Sequence, residues 1–309
     1  VTSAKEAGEL FGFGSPIHSQ MRILRPVNSD GVGGIPTVVF PQITDGAATA
    51  STRVWTVVGT ATSNATHTVV VNGRDNVDFQ TYAFSVTSGD TPTVIAGKIK
   101  DAINSVLGSP VTATNTAGVV TATTKWKGAT SDEINILIDF GSNSAGVSYS
   151  QTAQTSGAGT VSLAASFALF GDTWYTSVTN PYGESKLAEF EQFNGVPDTD
   201  APTGRFNGLI FKPFMAFFGS VLDDKDDLSG ITNDASRIEQ VTNVVCPAPN
   251  SNGFTFEAAA NVVALFARIM QDTPHLDVNN KAYPDMPIPS NGSIGDMSDY
   301  NNRDFLVKK

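Results

Sequence analysis

Hydrophobic and polar positions follow two different patterns along the chain, and the change falls near residues 48 and 158. Between these positions charged residues are sparse, threonine is abundant, and short runs of β-branched and aromatic residues alternate with turn residues. Such runs are typical of strands. The predicted strands are RVWTVVGTA, THTVVV, DFQTYAFSV, GVVTATTKW and EINILIDF.

Two further signals complete this region. Asn72-Gly73 directly follows THTVVV, and this dipeptide is the strongest short signal for a two-residue hairpin turn. Thr91 and Pro92 predict the start of one helix, and Gly108 predicts its end. Helical spacing predicts its apolar face as Val94, Ile95, Ile99, Ala102, Ile103 and Val106. Residues 48–158 are therefore expected to form an α+β module, mostly antiparallel sheet with one helix across a face.

The rest of the chain alternates strand-like and helical patterns, which favours a layered α/β domain. The strand-like runs are IPTVVF, WYTSVTN, GLIFKPFMAFF and EQVTNVVC. The helical patterns cover Leu163–Phe170, Glu184–Phe193, Val221–Leu228 and Phe256–Met270, the last with Thr255 as its cap and Pro274 after its end. The predicted fold class is mixed α/β and α+β. A discontinuous α/β domain of residues 1–47 and 159–309 receives an inserted, β-rich, outward-facing module of residues 48–158.

The segment ELFGFGSPIHSQM near the start raises the question of a phosphate-binding glycine loop. A dinucleotide fingerprint needs a third glycine, and a Walker loop needs Gly-Lys-Ser or Gly-Lys-Thr; neither pattern is present. The preferred interpretation is architectural. The glycines supply turn geometry, and Pro16 begins a helix that continues through Ile17, Met21 and Leu24.

Composition narrows the classes of partner. The chain of 309 residues has 19 basic and 30 acidic side chains and a net charge of -11, which disfavours binding to nucleic acid. No apolar run approaches the roughly 18 residues of a membrane span. The single cysteine, Cys246, excludes an internal disulfide, and its apolar neighbours predict a buried strand end.

Candidate chemistry is scarce. The acidic run LDDKDDLSG does not match a calcium loop, because Leu228 and Ser229 occupy its ligand and glycine positions. His18, His67 and His275 lack zinc-site spacing, and the hydrolase pattern G-x-S-x-G is absent. Trp174 and Tyr175 could stack on a sugar, but in a strand pattern aromatic residues ordinarily pack inside. No residue is assigned a catalytic, cofactor-binding or metal-binding role, and the protein is expected not to be an enzyme.

Four segments together resemble the Mu-like contractile tail sheath proteins of bacteriophages. They are ELFGFGSPIHSQM, GDTWYTSVTNPYG, NSNGFTFEAAANVVALFARIMQDTP and DYNNRDFLVKK. The run VTATNTAGVVTATTKWKGATSDEINI resembles a segment of the family's inserted region. The resemblance implies a structural subunit that forms hexameric rings, stacked helically around a tail tube, and contracts to drive the tube through the host envelope. It implies the tail tube, baseplate and tail terminator as partners, location in the virion, assembly in the bacterial cytoplasm, and no cofactor or membrane insertion.

Two expectations concern the extent of the chain. It begins with Val1, and the capped helical pattern from Ser298 runs to Lys309 without a terminating glycine, so we expect a fragment of a longer polypeptide. Compared with the family that it resembles, the chain is expected to lack an N-terminal arm and a C-terminal domain, which add strands to neighbouring subunits. The fragment is expected to be a monomer or weak oligomer. The alternatives are a carbohydrate-binding or adhesin-like protein that uses the β-rich insertion, and an α/β enzyme with unrecognised chemistry.

Overall fold

The computed structural model describes residues 1–27, 31–42, 45–74, 76–77, 80–198, 200–222, 237–238, 242–275 and 286–287. Contacts divide the chain into two compact units. The β-rich unit consists of Lys5–His18 and Ile43–Val161, and the core unit consists of Val1–Ala4, Ser19–Gln42 and Ser162–Lys309. The sequence-based division at residues 48 and 158 concerns independent folding and stays a prediction.

Antiparallel sheets and one long helix make up most of the β-rich unit. Its elements after helix α1 (Ala4–Phe11) and the start of α2 (Pro16–Leu24) are β1 (Thr52–Val58), β2 (Ala65–Val71), β3 (Asn76–Val77), β4 (Gln80–Thr81), β5 (Ala83–Val86), α3 (Pro92–Ser105), β6 (Val111–Thr116), β7 (Val119–Thr124), β8 (Ile136–Asp139) and β9 (Ser148–Thr155). The sheets have the orders β6-β7-β1-β9, β5-β2-β8 and β3-β4, and every pair is antiparallel.

Helix α3 packs against both larger sheets and begins at Pro92, as predicted. Its buried face is Ile95, Ala96, Ile99, Ala102 and Ile103. The prediction was wrong for Val94, which is 45% exposed, because Ala96 takes the inward position. The helix ends at Ser105, three residues before the glycine expected to stop it.

The predicted Asn72-Gly73 turn is confirmed. Both residues have positive φ, +49° and +70°, and Val71 and Arg74 exchange two backbone hydrogen bonds of 3.2 and 2.9 Å. This is the backbone conformation that a tight hairpin turn requires. The sequence analysis missed strands β6 and β9. Strand β9 reads SYSQTAQT, and it escaped detection because it has no apolar alternation.

A parallel sheet and helices form the core unit. Its elements are α4 (Ala164–Ala168), β10 (Ser177–Asn180), α5 (Leu187–Asn194), β11 (Met215–Ser220), β12 (Asn243–Pro247) and α6 (Thr255–Asp272), together with short 3-10 turns at Gly183–Lys186 and Gly204–Phe206. The sheet order is β10-β11-β12, with both pairs parallel. Helices and sheets of both kinds confirm the predicted mixed fold class.

The predictions for the run IPTVVF and for the cap of α6 were wrong. Residues 35–40, the run IPTVVF, form no strand; the Arg25 guanidinium binds the carbonyls of Gly33 and Ile35, so this backbone is held by a side chain. The cap of α6 is Phe254 rather than Thr255, and the backbone N–H of Phe254 donates to the Glu257 carboxylate at 3.3 Å. The helices predicted from Val221 to Leu228 and from Ser298 lie largely or wholly outside the described residues.

The glycines of the FGFGSP segment have the architectural role that the sequence predicted. Gly12 and Gly14 have φ of +94° and +83°, and Pro16 begins α2. A Cβ on Gly14 would lie 2.0 Å from the carbonyl oxygen of Ser109. The neighbouring Lys125 ammonium donates to the carbonyl of Phe13 at 3.1 Å. The segment therefore lies against another part of the β-rich unit at a spacing that only glycine permits.

Substitution of these two glycines separates backbone strain from close approach. Nothing lies within 4 Å of a Cβ at Gly12, so Gly12→Ala adds only the left-handed backbone cost, about 1–2 kcal/mol. Gly14→Ala should cost about 2 kcal/mol more, because its Cβ must displace a backbone carbonyl. Urea unfolding of both variants measures the difference. Equal losses of unfolding free energy would contradict the close approach at Gly14.

Candidate functional site

The three-stranded parallel sheet presents two outer strands. The middle strand β11 contains the buried residues Ala216, Phe217 and Phe218, and it pairs with β10 on one side and β12 on the other. Among the described residues, neither β10 nor β12 has a second strand partner. An outer strand leaves one row of backbone N–H and C=O groups available for another extended segment. The two edges are therefore candidate surfaces for strand addition.

A buried carboxylate positions the start of β12. Glu191 of α5 is fully buried and forms an ion pair with the Arg237 guanidinium, whose side chain is 4% exposed. The same carboxylate accepts hydrogen bonds from the backbone N–H of Ile238 at 3.0 Å and from the Asn243 side chain at 2.9 Å. A charge this deeply buried requires such partners. Glu191 therefore fixes Arg237, Ile238 and the start of β12 against α5.

A second polar residue of α5 joins the starts of β11 and β12. The fully buried Asn194 amide donates to the Phe214 carbonyl at 3.1 Å and to the Thr242 hydroxyl at 2.7 Å. Its side-chain oxygen accepts the backbone N–H of Phe214 at 3.0 Å. One side chain thus satisfies backbone groups just before β11 and a hydroxyl just before β12. Together with Glu191, it fixes the spacing of the two strands at one end of the sheet.

Small residues bring helix α6 close to the sheet. Ala258, Ala259 and Ala260 are fully buried, and a Cβ on Gly219 of β11 would lie 1.8 Å from the Thr255 carbonyl oxygen. Glu257 ends the preceding turn by accepting the Phe254 N–H, which satisfies one of the orphan donors at the helix start. The EAAA run is therefore a packing motif that closes one face of the sheet.

The candidate chemical groups lie in separate structural environments. Cys246 is fully buried in β12, and this burial raises the pKa of its thiol to about 12. His18 is buried and accepts the Gly14 N–H, whereas His275 is exposed. His67 is enclosed between the Tyr149 hydroxyl at 2.6 Å and the Asn143 carbonyl at 2.9 Å. Each buried group is occupied by a structural contact.

The structure separates the two aromatic residues considered for sugar stacking. Tyr175 packs against Phe40 and Phe170, with ring centroids 5.4 and 4.9 Å apart. Trp174 is 54% exposed and lies outside a strand, contrary to the expected strand packing. The acidic residues Asp224, Asp226 and Asp227 lie outside the described residues.

Within the described ranges, no cluster of three or more His, Cys, Asp or Glu side chains is arranged to hold a metal ion. Within the same ranges, no helix has the length and apolar character to cross a membrane.

Sequence reasoning missed the residues that organise the sheet. Glu191 and Asn194 lie three residues apart on α5, while their partners lie some twenty to fifty residues later in the chain. The one available signal was a carboxylate and an amide within the otherwise apolar helix pattern of LAEFEQFN. That signal indicates buried polar groups, but it does not identify their partners.

Comparison with known proteins identifies one relative. The chain is 27% identical over 189 residues to the Mu-like prophage FluMu tail sheath protein of Haemophilus influenzae. The match covers 60% of this chain and 37% of that protein, so the chain spans well under two thirds of its relative's length. It confirms the resemblance to the Mu-like tail sheath family. No protein-family model matches the chain.

The dependence of the sheet on Glu191 can be measured. Glu191→Ala should lower the free energy of unfolding by about 3–5 kcal/mol, because it leaves the Arg237 charge buried without its carboxylate. Glu9→Ala, on α1, removes a carboxylate that is 57% exposed and paired with Lys5, which is 80% exposed; it should cost about 1 kcal/mol or less. Chemical denaturation of both variants decides the comparison, and a similar small loss for both would refute the anchoring role.

Proposed function

We propose that this chain is the structural subunit of a contractile phage tail sheath. It polymerises around the tail tube and contracts to drive the tube through the host envelope. The observation that carries this proposal is the identity of 27% over 189 residues with a tail sheath protein. The chain covers 37% of that relative, so the function of the whole protein is inferred from the matched part.

The outer strands support a polymer built by strand exchange. An arm of one subunit that adds to β10 or β12 of the next would form backbone hydrogen bonds along the whole strand, while side-chain pockets set the register. Strand β11 is buried, so addition at either edge leaves the central packing unchanged. Neighbouring subunits would thus be tethered without any change in the fold of each one.

The buried polar contacts support movement of the core unit as a rigid body. Contraction requires two lattice arrangements that differ in the contacts between subunits, and each subunit must keep its own structure in both. Glu191 and Asn194 fix the ends of β11 and β12 through hydrogen bonds of 2.7 to 3.1 Å. The energy of contraction is then stored between subunits, in contacts that exchange when the lattice changes.

The proposed partners follow from this role. They are further copies of the chain in hexameric rings, the tail tube protein, the baseplate and the tail terminator. The protein is assembled in the cytoplasm of the bacterial host and resides in the virion. A net charge of -11 argues against nucleic acid as a partner, because a surface of that sign repels phosphates.

The β-rich insertion supplies a surface suited to solvent. Strand pairing places Thr112, Thr123, Thr52 and Thr155 in one row across the sheet β6-β7-β1-β9. Their sheet neighbours on the opposite face, including Ala113, Ala122 and Trp55, are buried. We propose that this hydroxyl face points outward from the polymer, where no lattice contact constrains it.

The proposed division into domains has a direct test. Residues 48–158, expressed alone, should unfold in one cooperative transition, because a domain with its own core does so. The measurement is circular dichroism against denaturant. A gradual, non-cooperative change would contradict the division. Binding of this segment to a glycan array would favour the carbohydrate-binding alternative over a spacer role.

Assembly tests the sheath proposal itself. The protein product of the complete open reading frame should form tubes or rings, whereas the 309-residue chain should remain a monomer or weak oligomer. Donated strands raise the effective concentration of neighbours, so modest contacts suffice when they are present. Light scattering and negative-stain electron microscopy measure the assembly state of both proteins. Long ordered tubes of the 309-residue chain would contradict arm-dependent assembly, and a persistently monomeric complete product would contradict the sheath assignment.

A further inference from the structure

Three consecutive large apolar residues of the core unit are exposed. Leu209, Ile210 and Phe211 are 96%, 41% and 61% exposed, and they precede strand β11. Single exposed apolar residues are ordinary on a protein surface, whereas adjacent ones mark contact sites more often. We call Leu209–Phe211 the apolar turn.

The apolar turn has a defined backbone conformation. The Asn207 carbonyl accepts the N–H groups of Ile210 at 2.9 Å and Phe211 at 2.7 Å, and the Asn207 side chain accepts the N–H of Leu209 at 3.1 Å. Phe211 has φ of +38°, a left-handed conformation that is uncommon for an aromatic residue. Strain of this kind persists only where the surrounding structure imposes it, and it concentrates at functional positions.

A buried arginine fixes the chain on both sides of this turn. Arg205 is 5% exposed, and its guanidinium donates to the carbonyl of Lys212 at 2.8 Å, just after the turn. The same group donates to the carbonyl of Thr173 at 2.7 Å and lies over the rings of Phe170 and Phe193. Arg205 thus joins the loop that carries the apolar turn to the loop that carries Trp174.

Trp174 extends the exposed apolar surface. Its side chain is 54% exposed, and its indole N–H donates to the Pro213 carbonyl at 2.7 Å, two residues after Phe211. The Lys212 ammonium binds the Asp172 carbonyl on the same pair of loops. Because hydrogen bonds hold the indole edge in place, this aromatic surface is presented in a fixed orientation, which lowers the entropy cost of docking.

We propose that the apolar turn and Trp174 form a docking surface for a second copy of this chain. The inference rests on the proposed sheath function, and it identifies one contact of the polymer that is separate from strand addition at β10 and β12. Leu209 and Phe211 supply the apolar anchors, and Arg205 is the positioning residue that keeps them exposed.

The size of the surface favours a copy of the chain in a polymer. Four side chains contribute a few hundred Å² at most, whereas a stable free complex buries about 1,200–2,000 Å² in total. A surface this small holds an isolated dimer only transiently, so untethered copies meet through it only in concentrated solution. It suffices where neighbours are already tethered and where the same contact repeats at every subunit.

Net charge disfavours a lipid surface as the partner of the apolar turn and Trp174. Exposed tryptophan, leucine and phenylalanine can insert at a membrane interface, and stable insertion is normally accompanied by basic residues that attract anionic lipids. The chain carries a net charge of -11, and its long-range interaction with an anionic surface is repulsive. A second copy of the chain carries the same sign of charge, and salt screens both repulsions over the same distance of about 8 Å. What separates the two occupants is tethering, because neighbours in a polymer are held together in spite of the repulsion, whereas nothing holds the chain at a membrane.

Site-specific crosslinking tests the docking surface. Cys246 is fully buried, so in a background where any cysteine outside these 309 residues is replaced by serine, a cysteine introduced as Leu209→Cys is the accessible thiol to which a benzophenone maleimide attaches. In assemblies of the complete product, illumination should join this position covalently to a second copy, and peptide mass spectrometry should locate the acceptor. The matched control is Leu10→Cys, which is 62% exposed on α1 and should give at least about tenfold less crosslinked product if docking is specific.

A paired substitution tests the energetic contribution. Leu209→Gln with Phe211→Asn removes both anchors, and asparagine tolerates the left-handed backbone at position 211, so the fold is retained. The critical concentration for polymerisation should rise about tenfold or more. Leu10→Gln with Leu107→Gln removes two comparably exposed apolar residues, 62% and 55%, and should leave it unchanged.

The outcomes separate the docking surface from the sheath function. Tubes that form equally well from the paired variant, without crosslinks from position 209, overturn the docking surface and leave the sheath proposal intact. If the complete product forms no polymer, that proposal fails; covalent dimers from position 209 in concentrated solution then still support the docking surface, and their absence overturns it. Binding of the 309-residue chain to phosphatidylcholine–phosphatidylglycerol vesicles, lost in the paired variant, also overturns it in favour of a lipid surface.

Discussion

The buried carboxylate of Glu191 is the contact on which the arrangement of the core unit depends. It is fully buried and forms an ion pair with the Arg237 guanidinium. It also accepts hydrogen bonds from the Ile238 N–H and the Asn243 side chain. Desolvating a carboxylate is costly, and the cost is recovered only when every partner is in place. The start of β12 therefore has one favourable position beside α5, and β12 is one outer edge of the sheet. This buried charge thus positions an edge that is a candidate for strand addition.

Close backbone approach is the second constraint, and it explains why small residues recur in both units. Gly219 and the alanines of α6 allow a helix to lie directly on β11, while Gly14 allows the N-terminal segment to lie on the Ser109 carbonyl. In both places a single methyl group would meet a backbone carbonyl, which cannot rotate away as a side chain can. These two motifs look like a ligand-binding glycine loop and an alanine-rich spacer. Their small residues are required because two backbone segments approach each other closely at each place.

Much of the fold could be predicted from local patterns, and the failures have physical causes. Helix α3 and the Asn72-Gly73 turn were predicted because Pro92 and an Asn-Gly pair act within a few residues. The run IPTVVF was wrongly predicted as a strand, because the Arg25 side chain binds the carbonyls of Gly33 and Ile35 at its start and no strand ladder forms there. Strand β9 was missed because its side chains are polar and mostly exposed, so its pairing with β1 leaves no alternation in the sequence.

The candidate site was less predictable, since it is made of contacts between distant residues and of surfaces. The resemblance to tail sheath proteins led to a structural interpretation, but it could not identify Glu191, Asn194 or the apolar turn. The apolar turn was hidden inside GLIFKPFMAFF, an apolar run that pattern analysis assigns to one strand. Only Met215–Ser220 forms that strand, because Asn207 accepts the backbone N–H groups of Leu209–Phe211 and Arg205 binds the Lys212 carbonyl after them, which prevents extension.

In the proposed sheath, surfaces of different strength would suit a polymer that changes its lattice once and remains connected. Strand addition forms many backbone hydrogen bonds together, so it persists through a rearrangement and keeps neighbours tethered. A small apolar contact such as Leu209–Phe211 has no directional bonds to break, so it can separate and form again at a new position within a rigid subunit. If the persistent contacts resided in the apolar turn and the exchangeable ones in the sheet edges, contraction would require breaking the strongest links first. In the proposed sheath, the barrier to contraction is therefore lower when the sheet edges are the tethers and the small apolar surfaces are the exchangeable contacts.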